Sequence, residues 1–486
     1  MALKNEYAVN ESALHVTSIF PEKTGDHAVI GHEADADEGI LVSLGYKQEF
    51  KRELTIRSSF GVSFSCLGLL PSIASTLGFN LAYSGPAGSV WGWLVAGVLI
   101  QFVALAMAEL CSSMPTAGGL YYASAVLAPE GYGPLCSWIT GWSNFAGEVT
   151  APCALNYALA AMILTAAQIV HPEYVIQTYH WTMAGYDAPF HLSEECSNAN
   201  IAGPRAIILT AQLGLWLGWA SILVIAYTVK DIQDVVSGQY GQPMGSLCLQ
   251  VLGPKAGLAM FSLNIFAQFF VGQGVTVVSS RVVYAYSRDG ALPGSYWLKQ
   301  VNSHTKTPVY AVWFVLILGA LLGLLTFASP VAIGAIFSMG AIAQYLAFIF
   351  PIALKLFSAR GSFRPGPWNL GRFSTPIGFV AVAWVTLIIP ILCFPSVTGA
   401  DLNALNMNYT CVMYGGVMVL AMVWYAVSAR KWFKGPKINV DHLIHGDRTE
   451  AVELAIVGGD EREDESGEKG GQGEEWVKIR GSSKLE

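Results

Sequence analysis

Charge is what this sequence has least of. Asp, Glu, Lys and Arg make up 13% of its 486 residues, against roughly 25% in a typical soluble domain. The shortage is concentrated. No charged residue lies between Arg57 and Glu109, Arg205 and Lys230, Lys255 and Arg281, or Lys306 and Lys355, and only Asp401 lies between Arg372 and Arg430. A soluble core helix keeps one face in water and needs no such runs. A hydrocarbon core about 30 Å thick asks for roughly 20 consecutive apolar residues. The runs therefore exclude an ordinary soluble domain, and each fits one or two bilayer crossings.

Other absences narrow the reading further. The first 50 or so residues lack the short apolar core and small-residue cleavage site of a signal peptide. The first span is therefore expected to insert the chain, leaving the N-terminus in the cytoplasm. The eight cysteines show no CxxC or Cys/His spacing, so no metal or redox site is expected; most lie in or beside apolar runs, where Cys acts as a small apolar residue. No P-loop, HExxH, GxSxG or paired-carboxylate pattern stands out, which argues against an enzyme and against a cofactor. The net charge of −7 lies largely in the tails and points to no nucleic-acid partner. The C-terminal stretch GGDEREDESGEKGGQGEE cannot bury enough apolar surface to fold. Three segments follow: a disordered cytoplasmic tail over 1–55, a transmembrane domain over 56–435, and a disordered acidic cytoplasmic tail over 436–486.

What is present is an all-α polytopic membrane protein. Hydropathy places nine crossings near 59–83, 88–112, 137–169, 206–229, 257–285, 308–327, 331–355, 375–396 and 408–429. The stretch 171–200 reads as a polar loop, with Glu173, Asp187, Glu194 and Glu195. Loop charge argues otherwise, because Lys and Arg concentrate in cytoplasmic loops. Only if 171–200 also crosses do the basic stretches at 47–57, 355–372 and 430–437 all fall on one side. A tenth, broken and polar crossing is therefore expected there. Irregular backbone is tolerated at membrane depth where protein or a water-filled cavity covers it, and broken crossings are typical of transporter binding sites.

Three places carry candidate chemistry. Gly68, Leu69, Leu70, Pro71 and Ser72 combine a residue that unwinds at little cost with one that lacks an N–H. A break there frees N–H groups that suit a carboxylate; a plain proline kink filled by neighbouring helices is the bland alternative. Gly185, Tyr186 and Asp187, near Trp181 and Pro189, would offer carbonyls, an acid and an aromatic face to an ammonium group, or simply form an external loop. Glu148 is the sole charged residue between Glu130 and His171. Counted from Ser137 at 1.5 Å per residue, it lies about 16 Å along its span, near the bilayer centre. Intramembrane acids are costly and face the protein interior, so Glu148 is a candidate for proton coupling or for pairing with a cationic substrate; a structural carboxyl is the alternative. Glu109 and Arg281 are read as gate or anchor residues at the cytoplasmic interface. Asn408-Tyr409-Thr410 matches a glycosylation sequon that abuts a span.

Several motifs coincide: GLLPSIAST at 68–76, VWGW at 90–93, AEL at 108–110, MPTAGGLYY at 114–122, GWSN at 141–144, GYDAPFHLSEECSNA at 185–199 and SRVVYAYSRDGALPGS at 280–295. Together they resemble a fungal amino acid, GABA or choline permease of the amino acid–polyamine–organocation superfamily, over roughly residues 40–435. The resemblance implies a five-plus-five inverted repeat followed by two further helices. It implies that the first and sixth family helices are broken at the substrate site, with Gly68 to Ser72 and Gly185 to Asp187 as the breaks. It also implies transport of a small amino-bearing solute, coupled to protons or by exchange. The sequence departs from the pattern after the third span. It runs from Ile169 to Trp181 in about a dozen residues, where the family has two more helices and a half-helix, so about ten crossings are expected instead of twelve.

A permease in the plasma or vacuolar membrane is thus the leading reading, with both termini cytoplasmic and with the substrate, the bilayer and, where transport is proton-coupled, protons as partners. A transport-incompetent variant acting as a sensor or partner subunit is the runner-up. The chain break is read first as a skipped exon or faulty gene model, then as a natural variant or a partner-stabilised form.

Overall fold

Two small residues start and stop the first helix. In this computed structural model Thr55 caps α1 (Ile56–Leu67): its hydroxyl accepts from Ser58 N while Ser58 Oγ accepts from Thr55 N at 2.7 Å, a reciprocal arrangement that satisfies two orphan donors. Gly68 ends it in the left-handed region at φ 49°, where glycine has no Cβ to clash. The chain then resumes as α2 (Leu69–Ser113). The structure describes Leu41, Leu44, Tyr46, and residues 55–173 and 199–436, apart from positions 239, 303, 328–329, 360, 362, 396–402 and 404–406.

The described elements are all helical. After α2 come α3 (Gly119–Leu127), α4 (Gly133–Val170), α5 (Ala199–Thr228), α6 (Ile232–Ser237), α7 (Pro243–Arg288), α8 (Ser295–Leu298), α9 (Val309–Gly323), α10 (Pro330–Phe357), α11 (Ser374–Cys393) and α12 (Thr410–Val427). Among the described residues, seven helical stretches are long and apolar enough to cross a membrane, and α9 is a shorter apolar helix. One of the seven, Ile56–Ser113, has 58 residues; at 1.5 Å each that is about 87 Å, well beyond one hydrocarbon core. A kink divides it at Gly85, which precedes Pro86, and a second Gly-Pro kink, at Gly253, divides α7. Each of the nine apolar runs read from the sequence falls on these helices. The main displacement is at α7, which starts at Pro243, ahead of the expected 257. Its first turns are polar enough to read as loop, and the Gly253 kink separates them from the apolar part.

α4 is the axis of the bundle, and glycines let its neighbours approach. A Cβ on Gly141 would lie 2.3 Å from the Tyr286 ring, and one on Gly147 would lie 2.7 Å from Gln344 Cγ. Close backbone approach through small residues is the usual route to helix association in lipid. α7 runs antiparallel to α4: Tyr286 OH donates to Trp138 O at 3.2 Å, and Gln268 Nε2 donates to Leu155 O at 2.7 Å. α5 runs antiparallel to the second half of α2. Gln101 Nε2 donates to Ala211 O at 2.9 Å, and Ser112 Oγ donates to Asn200 O at 2.8 Å. These pairings put the end of α4, at Val170, and the start of α5 at opposite ends of the bundle. The end holding Asn200 also holds Arg57, Lys355, Arg372 and Arg430 and is called the basic end below. The outer surface stays apolar, with Leu420 72% and Phe266 66% exposed, as a lipid-facing surface requires.

Candidate functional site

The break at Gly68 is built by backbone geometry and capped by a serine. Gly68 N donates to Ser65 O at 3.1 Å and closes α1, while Ser72 N donates to Gly68 O at 2.7 Å and opens α2. Ser72 Oγ donates to Leu67 O at 2.9 Å, taking up a carbonyl that the interrupted helix leaves unpaired. Pro71 sits in the first turn of α2, where a missing N–H costs nothing. The interruption falls at Gly68, the first residue of the 68–72 stretch read as a break. First-turn N–H groups have no carbonyl within their own helix, so Leu69 and Leu70 present donors at the break. The break lies against α7: a Cβ on Gly68 would meet Val271 Cγ2 at 2.3 Å.

Glu148 lies against the same helix. It is 6% exposed and its carboxylate joins three helices. Ser279 Oγ on α7 reaches Oε2 at 2.9 Å, and Gln344 Nε2 on α10 donates to Oε1 at 2.7 Å. Ser279 Oγ also lies 2.7 Å from Glu148 O. No basic side chain is among these partners. The side-chain amide oxygen of Gln344, Oε1, has no hydrogen-bond partner among the described residues. Val271 and Ser279 are eight residues apart on α7, about 12 Å of helix rise, so one helix supports both the break and the buried acid.

The basic end is closed by two polar clusters. Lys355 donates to Glu109 Oε2 at 2.6 Å and to Ser374 Oγ at 2.7 Å, and Ser374 Oγ donates to the same carboxylate oxygen at 2.8 Å. Glu109 and Arg281, read as gate or anchor residues at the cytoplasmic interface, are buried, at 2% and 5% exposed. Glu109 is held by a lysine from a helix far along the chain, a pairing that hydropathy does not reveal. In the second cluster Tyr46 and Tyr121 donate to Asp289 at 3.0 and 2.7 Å, and the Arg288 guanidinium lies 3.9 Å over the Tyr46 ring. Burial first, and the Asp289 charge second, push both phenols above their ordinary range. Both therefore remain donors.

Of the expected site residues, Gly68, Leu69, Leu70, Pro71, Ser72 and Glu148 are described, and Gly68 and Glu148 both lie against α7. Gly185, Tyr186 and Asp187 lie outside the described residues. Sequence reading missed Ser279 and Gln344. Gln344 carried a signal: it is the sole amide side chain in an otherwise apolar span, and intramembrane polar groups mark function by default. Ser279 carried none that distinguishes it from Ser280.

The sequence profile of the amino acid permease family matches residues 54–181 and 174–417. An uncharacterized amino-acid permease of Schizosaccharomyces pombe is 42% identical, over 91% of this chain and 94% of the relative. A putative polyamine transporter of Candida albicans is 35% identical, over 87% and 93%. The GABA-specific permease of Saccharomyces cerevisiae is 31% identical, over 87% and 89%. The alignment with the first relative runs over 532 positions, whereas 91% of 486 residues is about 442. About 90 positions therefore hold residues of the relative and none of this chain. The two profile matches meet at 174–181. Among solved structures, a manganese transporter of Eremococcus coleocola aligns over 86% of this chain and 99% of that one, at 13% identity and a TM-score of 0.31.

Proposed function

The chain belongs to the amino acid permease family, and we propose that it carries a small amino-bearing solute (an amino acid, GABA, a polyamine or choline) across its membrane by alternating access. The observation that carries the reading is the shared seat of the Gly68 break and Glu148 on α7. The first-turn N–H groups of Leu69 and Leu70, with Gly68, Pro71 and Ser72 shaping the break, receive a carboxylate. Gly185, Tyr186 and Asp187 receive the amine. Glu148, buried among neutral hydrogen-bond partners, takes up and releases the coupling proton. In this reading the basic end faces the cytoplasm, both termini lie there, and the membrane is plasma or vacuolar.

The test is uptake into vesicles holding the purified full chain, with labelled GABA, a polyamine, choline and a set of amino acids as probes. We expect accumulation driven by an inward proton gradient. Glu148→Gln should abolish gradient-driven uptake and spare exchange; gradient-driven uptake unchanged in that variant would remove Glu148 from coupling.

In a second reading, the surplus of about 90 positions in the relative corresponds to two helices and a half-helix missing from the first repeat near 170–181, and this chain binds solute without moving it, as a sensor or partner subunit. Saturable binding with no flux in the same vesicles favours this reading. A transcript carrying roughly 90 further in-frame codons across 170–181, enough for two spans and a half-helix at about 20 residues per crossing, would restore the complete permease.

A further inference from the structure

Cys393 is the last residue of α11 and Cys411 the second residue of α12. Both carry free thiols, and the chain just before Cys411 is seated on the carbonyls that flank Cys393. One asparagine fixes this juxtaposition. Asn408 Nδ2 donates to Leu392 O at 2.9 Å and to Phe394 O at 3.0 Å, the carbonyls on either side of Cys393. Asn408 Oδ1 accepts from Thr410 N at 3.1 Å, and Thr410, fully buried, precedes Cys411. The end of one helix and the start of the next are thus held together by contacts that do not involve the sulfurs. Cys411 is exposed and Cys393 half-buried. Both lie at the end of the bundle opposite the basic end. If the basic end faces the cytoplasm, this end meets the compartment in which disulfides persist.

We propose that Cys393 and Cys411 form a disulfide that clips α11 to α12 on the non-cytoplasmic face. The oxidant is a low-molecular-weight disulfide. The exposed Cys411, as its thiolate, attacks one sulfur of that disulfide, breaks the small molecule's sulfur–sulfur bond and expels one thiolate, which takes up a proton. The Cys393 thiolate then attacks the Cys411 sulfur and expels the second thiolate. Two protein thiols are oxidised to one disulfide, and one small disulfide is reduced to two thiols.

The chain itself supplies a clean assay. Asp401 is the one charged residue between Arg372 and Arg430, so trypsin with cleavage before Asp401 places the two cysteines on separate peptides, 373–400 and 401–430. Full-length protein would be treated with oxidised glutathione, blocked with N-ethylmaleimide and mapped by mass spectrometry without reduction. The linked pair 373–400/401–430 is expected, lost on reduction and absent from Cys411→Ser. Both peptides recovered with alkylated cysteines and no linked species would overturn the proposal. Protein blocked in intact membranes before extraction tests the compartment separately: a linked pair there supports the orientation, and a pair formed only after oxidation in detergent refutes the disulfide as a native modification.

Discussion

Lys355 on α10 and Glu109 on α2, 246 residues apart in the chain, meet at 2.6 Å with side chains only 10% and 3% exposed. Two charges taken out of water this far repay their desolvation only while both are present. Lys355→Met alone should destabilise the protein by about 3–5 kcal/mol, because it strands a buried carboxylate. The double variant Lys355→Met/Glu109→Leu should recover much of that loss. Unfolding midpoints in detergent for both singles and the double form the cycle; additive losses would refute the coupling.

A second prediction concerns the junction of the N-terminal segment with the bundle. Tyr46, buried beside Asp289, Arg288, Tyr121 and Tyr122, has a phenol raised above its ordinary value of 10.0. A raised acid favours the protonated, folded form. Its stabilising contribution is complete below pH 10 and declines as pH rises above that value. Tyr46→Phe, which loses a bond to a charged acceptor worth about 1.5–3 kcal/mol, should loosen the segment at neutral pH. Tryptic cleavage after Lys47 should accelerate in Tyr46→Phe, and in the wild-type chain as pH is raised past 10. Equal cleavage rates for the two proteins at pH 7 would count against this docking.

Glycine is required at two positions on different grounds. At Gly68 a side chain meets both a left-handed φ of 49° and Val271. At Gly141 it meets Tyr286, whose hydroxyl is tied to Trp138 O and whose ring is packed among Tyr121, Trp138 and Trp142. Alanine at either position should cost about 1–3 kcal/mol by overpacking. Gly68→Ala should in addition lower substrate affinity under the proposed function, whereas Gly141→Ala should not. Ligand-dependent thermal shifts separate the two outcomes.

The sequon at Asn408 should carry no glycan. Its Nδ2, the atom that would be glycosylated, already donates to two carbonyls, and its Oδ1 is bound by Thr410. Glycosidase treatment should leave the mass of the natively expressed protein unchanged, and Asn408→Gln should migrate with it. A mass loss on treatment, absent from Asn408→Gln, would contradict the bonding described here.

Much of the architecture is one-dimensional and was therefore readable from the sequence. Long charge-free runs must be helices in lipid, since only internal hydrogen bonds satisfy a backbone there, and the nine runs fall on helices within a few residues except at the starts of α5 and α7. Thr55, Gly68 and the Gly-Pro pairs at 85–86 and 253–254 set local starts, stops and kinks through short-range sterics. Glu148 was conspicuous because nothing else in its span is charged. What it touches was not readable. Ser279 and Gln344 are 131 and 196 residues away, and only the antiparallel packing of α7 and α10 on α4 brings them to it. The same holds for Glu109: its place at a helix end marked it as a gate or anchor residue, and only tertiary packing brings Lys355 to it. Composition and hydropathy decided that this chain lives in a membrane and where its helices run. Which polar groups meet inside was decided by the faces those helices turn to one another, because burial and partnership depend on distance in space and not on distance along the chain.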